Sequence, residues 1–411
     1  MRNKELIHIG ATQGESHTEL KSIHNNQRMK ILHIYGHTYG GSFVITQLKE
    51  FIRLGFDVTV ICPGDGSFSR ELSELQLTLI HQDFQGSKIK DIPKIIKSII
   101  SIRQLIKEKK PSIVHYHLIK AIIVGRLACV FLPSKTVSQL GGPITLEIPL
   151  FRWLDLLTAF IDDEIICSSM KIKTIYEKYK ITRKKCSLVH YAFPLDHFLS
   201  VDKAKSRESI RSELNIAENS KVVGLVAYMY KSNLSKFKEV GIKGHEILLK
   251  AAVKIIEKNP SVTFLIVGQD IDGRDAYLKE LIATSNKLGL QQNIIFTGFR
   301  KDIPQIISAM DIVTVPSLSE NCGGAVEALL MGVPVIASDV GGLPDVVIEG
   351  HTGWLAKPGD STSLAEKIQT ALDCPQSQLK KIGDNGTELI TSLFNPAANA
   401  KKLEAIYRRS R

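Results

Sequence analysis

Several features are scarce in this 411-residue chain, and each scarcity removes a class of protein. No stretch reaches the 18 or so consecutive apolar residues that a membrane-crossing helix needs. The best run, Ala121 to Pro133, carries Arg126 in its middle. The segment Met1 to Gly14 has charges but no apolar stretch long enough for a secretory signal, so a cytoplasmic location is expected. The six cysteines, Cys62, Cys129, Cys167, Cys186, Cys322 and Cys374, lie far apart with no Cys-x-x-Cys pair. That spacing argues against a disulfide framework and a zinc site, and predicts reduced, mostly buried thiols. No Gly-x-Gly-x-x-Gly follows the first strand pattern of either half, which argues against an NAD-binding dehydrogenase. There is also no aromatic-interleaved basic stripe or zinc finger, so nucleic acid is not an expected partner.

What is present describes a two-domain globular protein. The length exceeds what one hydrophobic core usually supports. Hydrophobic residues make up 44% and charged residues 23%, an ordinary balance for such a chain. The formal charge of +11 is uneven: Met29 to Ser200 holds 23 Lys and Arg against 15 Asp and Glu, a net +8. The N-terminal half is therefore expected to meet something anionic, a membrane surface or a phosphorylated acceptor.

Residues 1–28 are polar and weakly periodic and read as a flexible leader, with Met29 a candidate start. Ile31 to Tyr35 is a buried-strand run that ends at Gly36 and a Gly40-Gly41 loop, followed by a helical pattern (Phe43 to Leu54) and the strand Val58 to Ile61. Strand and helix patterns go on alternating, with strand Ser112 to Tyr116, and restart with strand Val222 to Val226 after a charged linker or hinge-flanking helix, Asp202 to Asn219. The fold class is thus α/β, with two doubly wound, Rossmann-like parallel sheets facing a central cleft. The expected boundaries are 29–205 for a first domain, 206–390 for a second, and 391–411 for a C-terminal helix returning to the first. Ligands in such sheets bind beyond the carboxyl ends of the strands.

The most informative segment runs from Pro316 through Glu320, Gly323-Gly324, Glu327 and Gly332 to Asp339, and reads as strand end, glycine-rich loop, helix and strand. Gly323 and Gly324 let backbone approach a ligand, and the following helix presents unpaired N–H groups and a positive dipole end to phosphate. Glu327 is placed to accept two ribose hydroxyls, and Glu320 to reach a sugar hydroxyl. Acidic residues also favour first helical turns for dipole reasons alone.

These residues resemble the retaining glycosyltransferases of family 4, which have the GT-B fold. Their mark is two glutamates seven residues apart, after Pro-Ser and before Gly-x-Pro-Val-Ile-Ala, and Glu320 and Glu327 stand so. Further matches are the Gly40-Gly41 loop, Ile113 to His117, Ile242-Lys243-Gly244-His245, Phe296 to Asp302, and Gly341 to Asp345. The resemblance implies a catalytic set of Glu320, Lys243 and His117. Lys243 binds the diphosphate, and His117 lies near the transferred sugar. The resemblance also makes 206–390 the nucleotide-sugar domain and 29–205 the acceptor side, and implies Glu327 at the ribose, backbone around Asn321, Cys322, Gly323 and Gly324 at sugar and diphosphate, Gly298 and Phe299 against the base, and Gly40 and Gly41 near the phosphates or the acceptor. A solvated lysine at a helix start, a structural histidine and a tight turn are the plain alternatives for Lys243, His117 and Gly40-Gly41. The family's phosphate-binding Arg is replaced by Tyr228, and an insertion follows to Gly241; the expected substitute is Lys231 or another cation in that insertion, the alternative being a diphosphate held differently.

The implied activity is a hexosyltransferase-type transfer, with retention, from a nucleoside-diphosphate sugar to a saccharide or lipid-linked hydroxyl in bacterial surface polysaccharide or glycolipid synthesis. A sugar-nucleotide epimerase or hydrolase, or a non-catalytic sugar-nucleotide-binding protein, is the alternative. Neither cofactor nor metal is expected; Asp270-Ile-Asp272 imitates a metal motif, but Lys243 and a helix end suffice at the diphosphate. A helical pattern from Lys88 to Lys110 carries Ile92, Ile95, Ile96, Ile99, Ile102, Leu105 and Ile106 with a basic fringe including Lys94, Lys97 and Arg103. It reads either as a core-packed helix with a solvated face or as a peripheral contact with the inner face of the cytoplasmic membrane.

Overall fold

In the computed structural model, residues 28–84, 91–180, 185–231, 240–271 and 273–409 are described. Residues 1–27 of the expected leader, Lys88, Lys90, Asp272 and residues 232–239 of the insertion lie outside them.

The first sheet is built from β1 (Lys30–Tyr35), β2 (Asp57–Cys62), β3 (Thr78–His81), β4 (Ile113–His117), β5 (Lys135–Leu140), β6 (Glu164–Cys167) and β7 (Cys186–Leu188). Its order is β3-β2-β1-β4-β5-β6-β7, with every neighbouring pair parallel. The second sheet contains β8 (Val222–Val226), β9 (Thr263–Val267), β10 (Ile294–Gly298), β11 (Ile312–Val315), β12 (Val335–Ser338) and β13 (Gly353–Ala356). Its order is β10-β9-β8-β11-β12-β13, again parallel. Strands β4, β5 and β6 are buried at every position, although β5 carries Lys135, Thr136, Ser138 and Gln139 and β4 carries His115 and His117. Helices cover both faces, and separate apolar clusters fill the two sides of each sheet.

In each sheet the strand order reverses once, between β1 and β4 and between β8 and β11. The crevices at such reversals are where connecting loops diverge and leave room for a ligand.

The stretch Asp202 to Asn219 is mostly helix, Lys203–Glu213, capped by the Asp202 carboxylate accepting from the Lys205 N–H at 3.1 Å. Arg207 and Arg211 on this helix both clamp Asp311, at 2.8 and 2.9 Å, so the segment is fastened to the second sheet. The boundary read between 205 and 206 therefore falls inside a helix, as does that between 390 and 391, within Gln376–Leu393. Of the two readings of this charged stretch, linker or helix, the helix is the one observed; its apolar period is weak because its arginines find their partners about 100 residues further on.

The last helix, Pro396–Tyr407, returns to the first sheet. It packs on the helix Ser42–Arg53 through Ala400, Leu403, Ile406 and Tyr407. The Tyr407 hydroxyl bonds His115 Nδ1 at 2.7 Å, and Lys135 donates to the carbonyls of Ile406 and Arg409 at 2.7 and 2.9 Å.

Candidate active site

At the reversal between β8 and β11 a cavity of about 300 Å³ opens on the second sheet. The loop after β8 supplies Tyr228, the loop after β10 Phe299 and Arg300, and the loop after β11 Pro316, Ser317 and Glu320. Gly323, Gly324 and Glu327 enter from the helix Gly323–Leu330, and Lys243 from the turn before the helix His245–Ile256. Glycine geometry brings these loops together. Gly244 has φ +75, and a Cβ there would lie 2.0 Å from the Pro316 carbonyl oxygen. That close approach, with the Leu318 N–H donating to the Ile242 carbonyl at 2.8 Å, fixes Lys243 over the Glu320 loop. Nothing lies within 4 Å of a Cβ placed on Gly323, and the N-cap Cys322 makes no side-chain hydrogen bond. The helix start thus offers N–H groups and a positive dipole end to an anion.

Charge at this site is tightly arranged. The Lys243 ammonium donates to Glu320 Oε2, which Ser317 Oγ also approaches at 3.4 Å, and the Asn321 N–H donates to Glu320 Oε1 at 3.1 Å. Burial works against the ammonium, but Glu320, then Tyr230 and Glu327, hold its pKa above the usual lysine value. Glu327 is pushed up to about 7, first by burial and then by the charge of Glu320, with Lys243 opposing. At neutral pH the Lys243–Glu320 pair therefore stands beside a second glutamate, Glu327, poised between its two forms.

A second cavity, of about 380 Å³, lies between the two sheets. Tyr35, His37, Tyr39, Phe43, Leu118 and the segment Gly141 to Thr145 form one wall; Tyr230, Ile242, Ser319 and Asn321 form the other. Lys243 and Glu320 line both cavities, so the ion pair stands at their junction. Bonds across the cleft hold the walls in place. Asn321 Nδ2 donates to Ser168 Oγ at 3.3 Å, while Asp345 Oδ2 accepts from the Met170 N–H at 2.7 Å and contacts His190 Nε2 at 3.1 Å. Gly341, at φ +58, lets the loop before Asp345 lie against the Glu320 carbonyl, where a Cβ would stand at 1.7 Å.

Comparison with known proteins agrees with this geometry. Residues 207–389 match the family described as Glycosyl transferases group 1, and residues 40–197 match Glycosyltransferase Family 4. The chain belongs to glycosyltransferase family 4. A curated relative, the UDP-Gal:alpha-D-GlcNAc-diphosphoundecaprenol alpha-1,3-galactosyltransferase of Escherichia coli, is 26% identical over 405 residues, covering 94% of this chain and 98% of that one. The D-inositol 3-phosphate glycosyltransferase of Corynebacterium diphtheriae is 31% identical over 207 residues, which span 49% of this chain and about half, 46%, of the relative. Among solved structures, Anabaena HepE in complex with UDP superposes with a TM-score of 0.77 at 24% identity, covering 92% of this chain and 99% of that one. A Rickettsia africae glycosyltransferase gives 0.76 at 20% identity, covering 93% and 98%. The fold is GT-B, and the protein is a glycosyltransferase that uses a nucleotide sugar.

For a family 4 enzyme, several residues stand elsewhere than the sequence implied. His117 lines neither cavity: it is fully buried, its Nε2 is 3.0 Å from His33 Nδ1, and its ring stacks on that of His33 and lies tilted at 31° to that of His115. His115 and His117 are two apart and so share one face of β4, and that face is covered by the helices carrying Phe51 and Tyr407. Burial lowers the pKa of all three imidazoles, to about 3 for His33, so the trio is neutral. Among the described residues it is also the one grouping with metal-ligand proximity, its ring nitrogens within 4.8 Å of one another.

Lys231 does not line the cavity either; it pairs with Glu280 at 2.6 Å and lies over the Tyr277 ring. Tyr228 does line it, its ring stacked at 24° to that of Phe299 with centroids 6.5 Å apart. Arg300, also in the wall, is held by Glu213 and Asp302. Gly41 is a packed turn, at φ +83 with a Cβ position 2.8 Å from Phe68 and the Tyr35 hydroxyl, and neither it nor Gly40 borders a cavity. Gly298 turns the chain at φ +70 to present Phe299, and the Cys322 thiol points into the core. Asn321 faces the second cavity instead of the donor side. Asp270 accepts from the N–H groups of Tyr277 and Leu278 at 2.7 and 2.9 Å and thereby starts a helix; Asp272 lies outside the described residues.

Proposed function

We propose that the protein transfers a hexose, with retention at the anomeric carbon, from a nucleoside diphosphate to a hydroxyl of a lipid-linked saccharide at the inner face of the cytoplasmic membrane. The observation that carries this reading is the Lys243–Glu320 pair standing where the two cavities meet, a single point at which donor and acceptor can touch. The diphosphate sits at the start of the helix Gly323–Leu330 with Lys243, the ribose at Glu327, and the base between Tyr228 and Phe299. As the bond from the anomeric carbon to the diphosphate oxygen breaks, charge grows on the phosphates, and donors already in place stabilise it without a divalent metal. The acceptor oxygen bonds the anomeric carbon on the same face, and its proton passes to the departing phosphate oxygen. Glu320 already accepts from Lys243, Ser317 and Asn321, which suits a role in orienting the sugar.

A lipid-linked acceptor is supported by the Escherichia coli relative, whose named acceptor is a diphosphoundecaprenol. No helix among the described residues is long and apolar enough to cross a membrane. The test is transfer from a panel of nucleotide sugars to a short-chain lipid diphosphate saccharide, with the new anomeric bond assigned by NMR and a chelator present. Retained configuration and undiminished rate in EDTA are expected, with Lys243→Ala slower by roughly 10²-fold. Inverted product, or turnover of the donor unaffected by acceptor, overturns the reading.

A further inference from the structure

The helix Pro149–Thr158 is amphipathic in the wrong sense for a soluble surface. Its inward side carries Asp155, fully buried, while Leu150, Trp153 and Leu157 are 66%, 53% and 67% exposed, and Phe160 in the next turn is 61% exposed. The rotation of the helix is pinned. Arg126, buried in the neighbouring helix Ile119–Cys129, donates to Asp155 Oδ1 and to the Asp155 carbonyl at 2.8 Å, and Tyr176 donates to Asp155 Oδ2 at 2.5 Å. Turning the apolar side inward would break this network and leave buried charge without a partner.

The surroundings select the occupant. Lys178 and Lys180, both exposed, flank Tyr179, whose ring meets Trp153 at 6.3 Å, while the half-buried Lys185 is tied to the backbone carbonyls of Phe160, at 3.1 Å, and Asp162. Across the next helix, Phe131 is 98% exposed, and beyond it Ile96 and Ile100 stand outward on the basic helix Ile92–Lys109. An apolar centre with a tryptophan and a rim of lysines complements a bilayer with anionic headgroups: the rings and leucines reach the acyl boundary while the ammonium groups stay among the phosphates. The face is also continuous with the cleft, because Pro143, Ile144 and Thr145, just before this helix, line the second cavity.

We propose that the helix Pro149–Thr158 and the turn through Phe160 insert into the interfacial layer of an anionic membrane and seat the mouth of the second cavity at its surface. The proposal deepens the lipid-linked-acceptor reading and rests on it for its purpose, though not for its observations. The chain has two tryptophans, and Trp354 is buried in the second sheet, so fluorescence isolates Trp153.

Full-length protein is mixed with phosphatidylcholine vesicles, with or without phosphatidylglycerol, and with brominated-acyl versions of both. A blue shift and bromolipid quenching are expected on anionic vesicles only, and both disappear in Trp153→Phe. Leu150→Glu with Leu157→Glu changes two exposed positions; it should lower vesicle partitioning by roughly tenfold or more while thermal stability and transfer to a water-soluble acceptor stay unchanged. Absence of quenching, or partitioning unaltered by the leucine pair, overturns the proposal. Sedimentation showing instead that the leucine pair splits a dimer gives the face to a second copy and overturns it equally. Quenching together with strict use of water-soluble acceptors leaves the docking face standing and refutes the lipid-linked acceptor.

Discussion

Glu327 concentrates the conflict between stability and binding in one carboxyl. Its folded pKa is about 7 against an ordinary 4.5, so between those values the native state keeps a proton that the unfolded chain has released. Stability therefore falls as pH rises through that window, by up to about 1.4 kcal/mol per unit. With the ribose at Glu327, as proposed, its hydroxyls would donate to the ionised form, so nucleotide affinity should move the other way and increase as pH rises through about 7. Glu327→Gln separates the two effects. Calorimetry at pH 8 should show nucleoside diphosphate binding weaker by about 1.5 to 3 kcal/mol, a difference that shrinks toward pH 5.5, while the melting temperature of the free protein at pH 8 rises. Using the difference between the two proteins removes the titration of the diphosphate itself. An affinity ratio that does not change with pH would take Glu327 away from the ribose.

At the scale of elements, local spacing carried some features and non-local partners decided the rest. The Glu320-to-Glu327 segment was legible because one strand, one glycine loop and one helix turn hold its geometry between Ile312 and Glu327. The neighbour of His117 was not, because His33 sits on β1, 84 residues away, and only the register of β1 with β4 brings the rings together. The membrane-facing candidate shifted for the same reason. The helix Ile92–Lys109 has the longer amphipathic pattern, but it buries Ile102 and Ile106, ties Lys94 to Asp83 at 2.6 Å, and spends Arg103 on the carbonyls of Ala128 and Val130. The helix Pro149–Thr158 owes its outward leucines to Arg126, which needs both Asp155 and Asp162, the latter at 2.5 Å. Burial raises the pKa of Asp162 and Arg126 opposes it. Arg126→Met should therefore cost roughly 3 to 5 kcal/mol in urea denaturation, with part of the loss recovered by adding Asp162→Asn. A loss below about 1 kcal/mol would mean that the helix is oriented by its apolar contacts alone.

Over the whole molecule, two of the junctions between the sheets among the described residues do different work. One is the cleft, where Asp345 and Asn321 bond across to Met170 and Ser168 and set the distance between the cavities. The other is the C-terminal helix Pro396–Tyr407, which follows the second sheet in sequence but buries Ala400, Leu403, Ile406 and Tyr407 against the first. The returning helix was legible as a segment, whereas its partners were not, since His115 and Lys135 lie more than 270 residues earlier. Ending the chain after Phe394 would expose Phe51 and its neighbours, remove two acceptors from Lys135, and take the Tyr407 hydroxyl from His115. Each of the larger buried side chains contributes about 1.5 to 3 kcal/mol, so three together rival the total stability of a domain. Limited proteolysis of the shortened protein should then cut first within the segment before residue 200, while fragments of the second sheet survive. Tyr407→Phe keeps the apolar contact and loses only the hydroxyl bond, so it should cost about 1 kcal/mol and leave the proteolytic pattern unchanged. If the shortened chain melts with the full one and is cut evenly in both halves, the helix is a passenger on the first sheet. The link between the domains would then reside in the cleft alone.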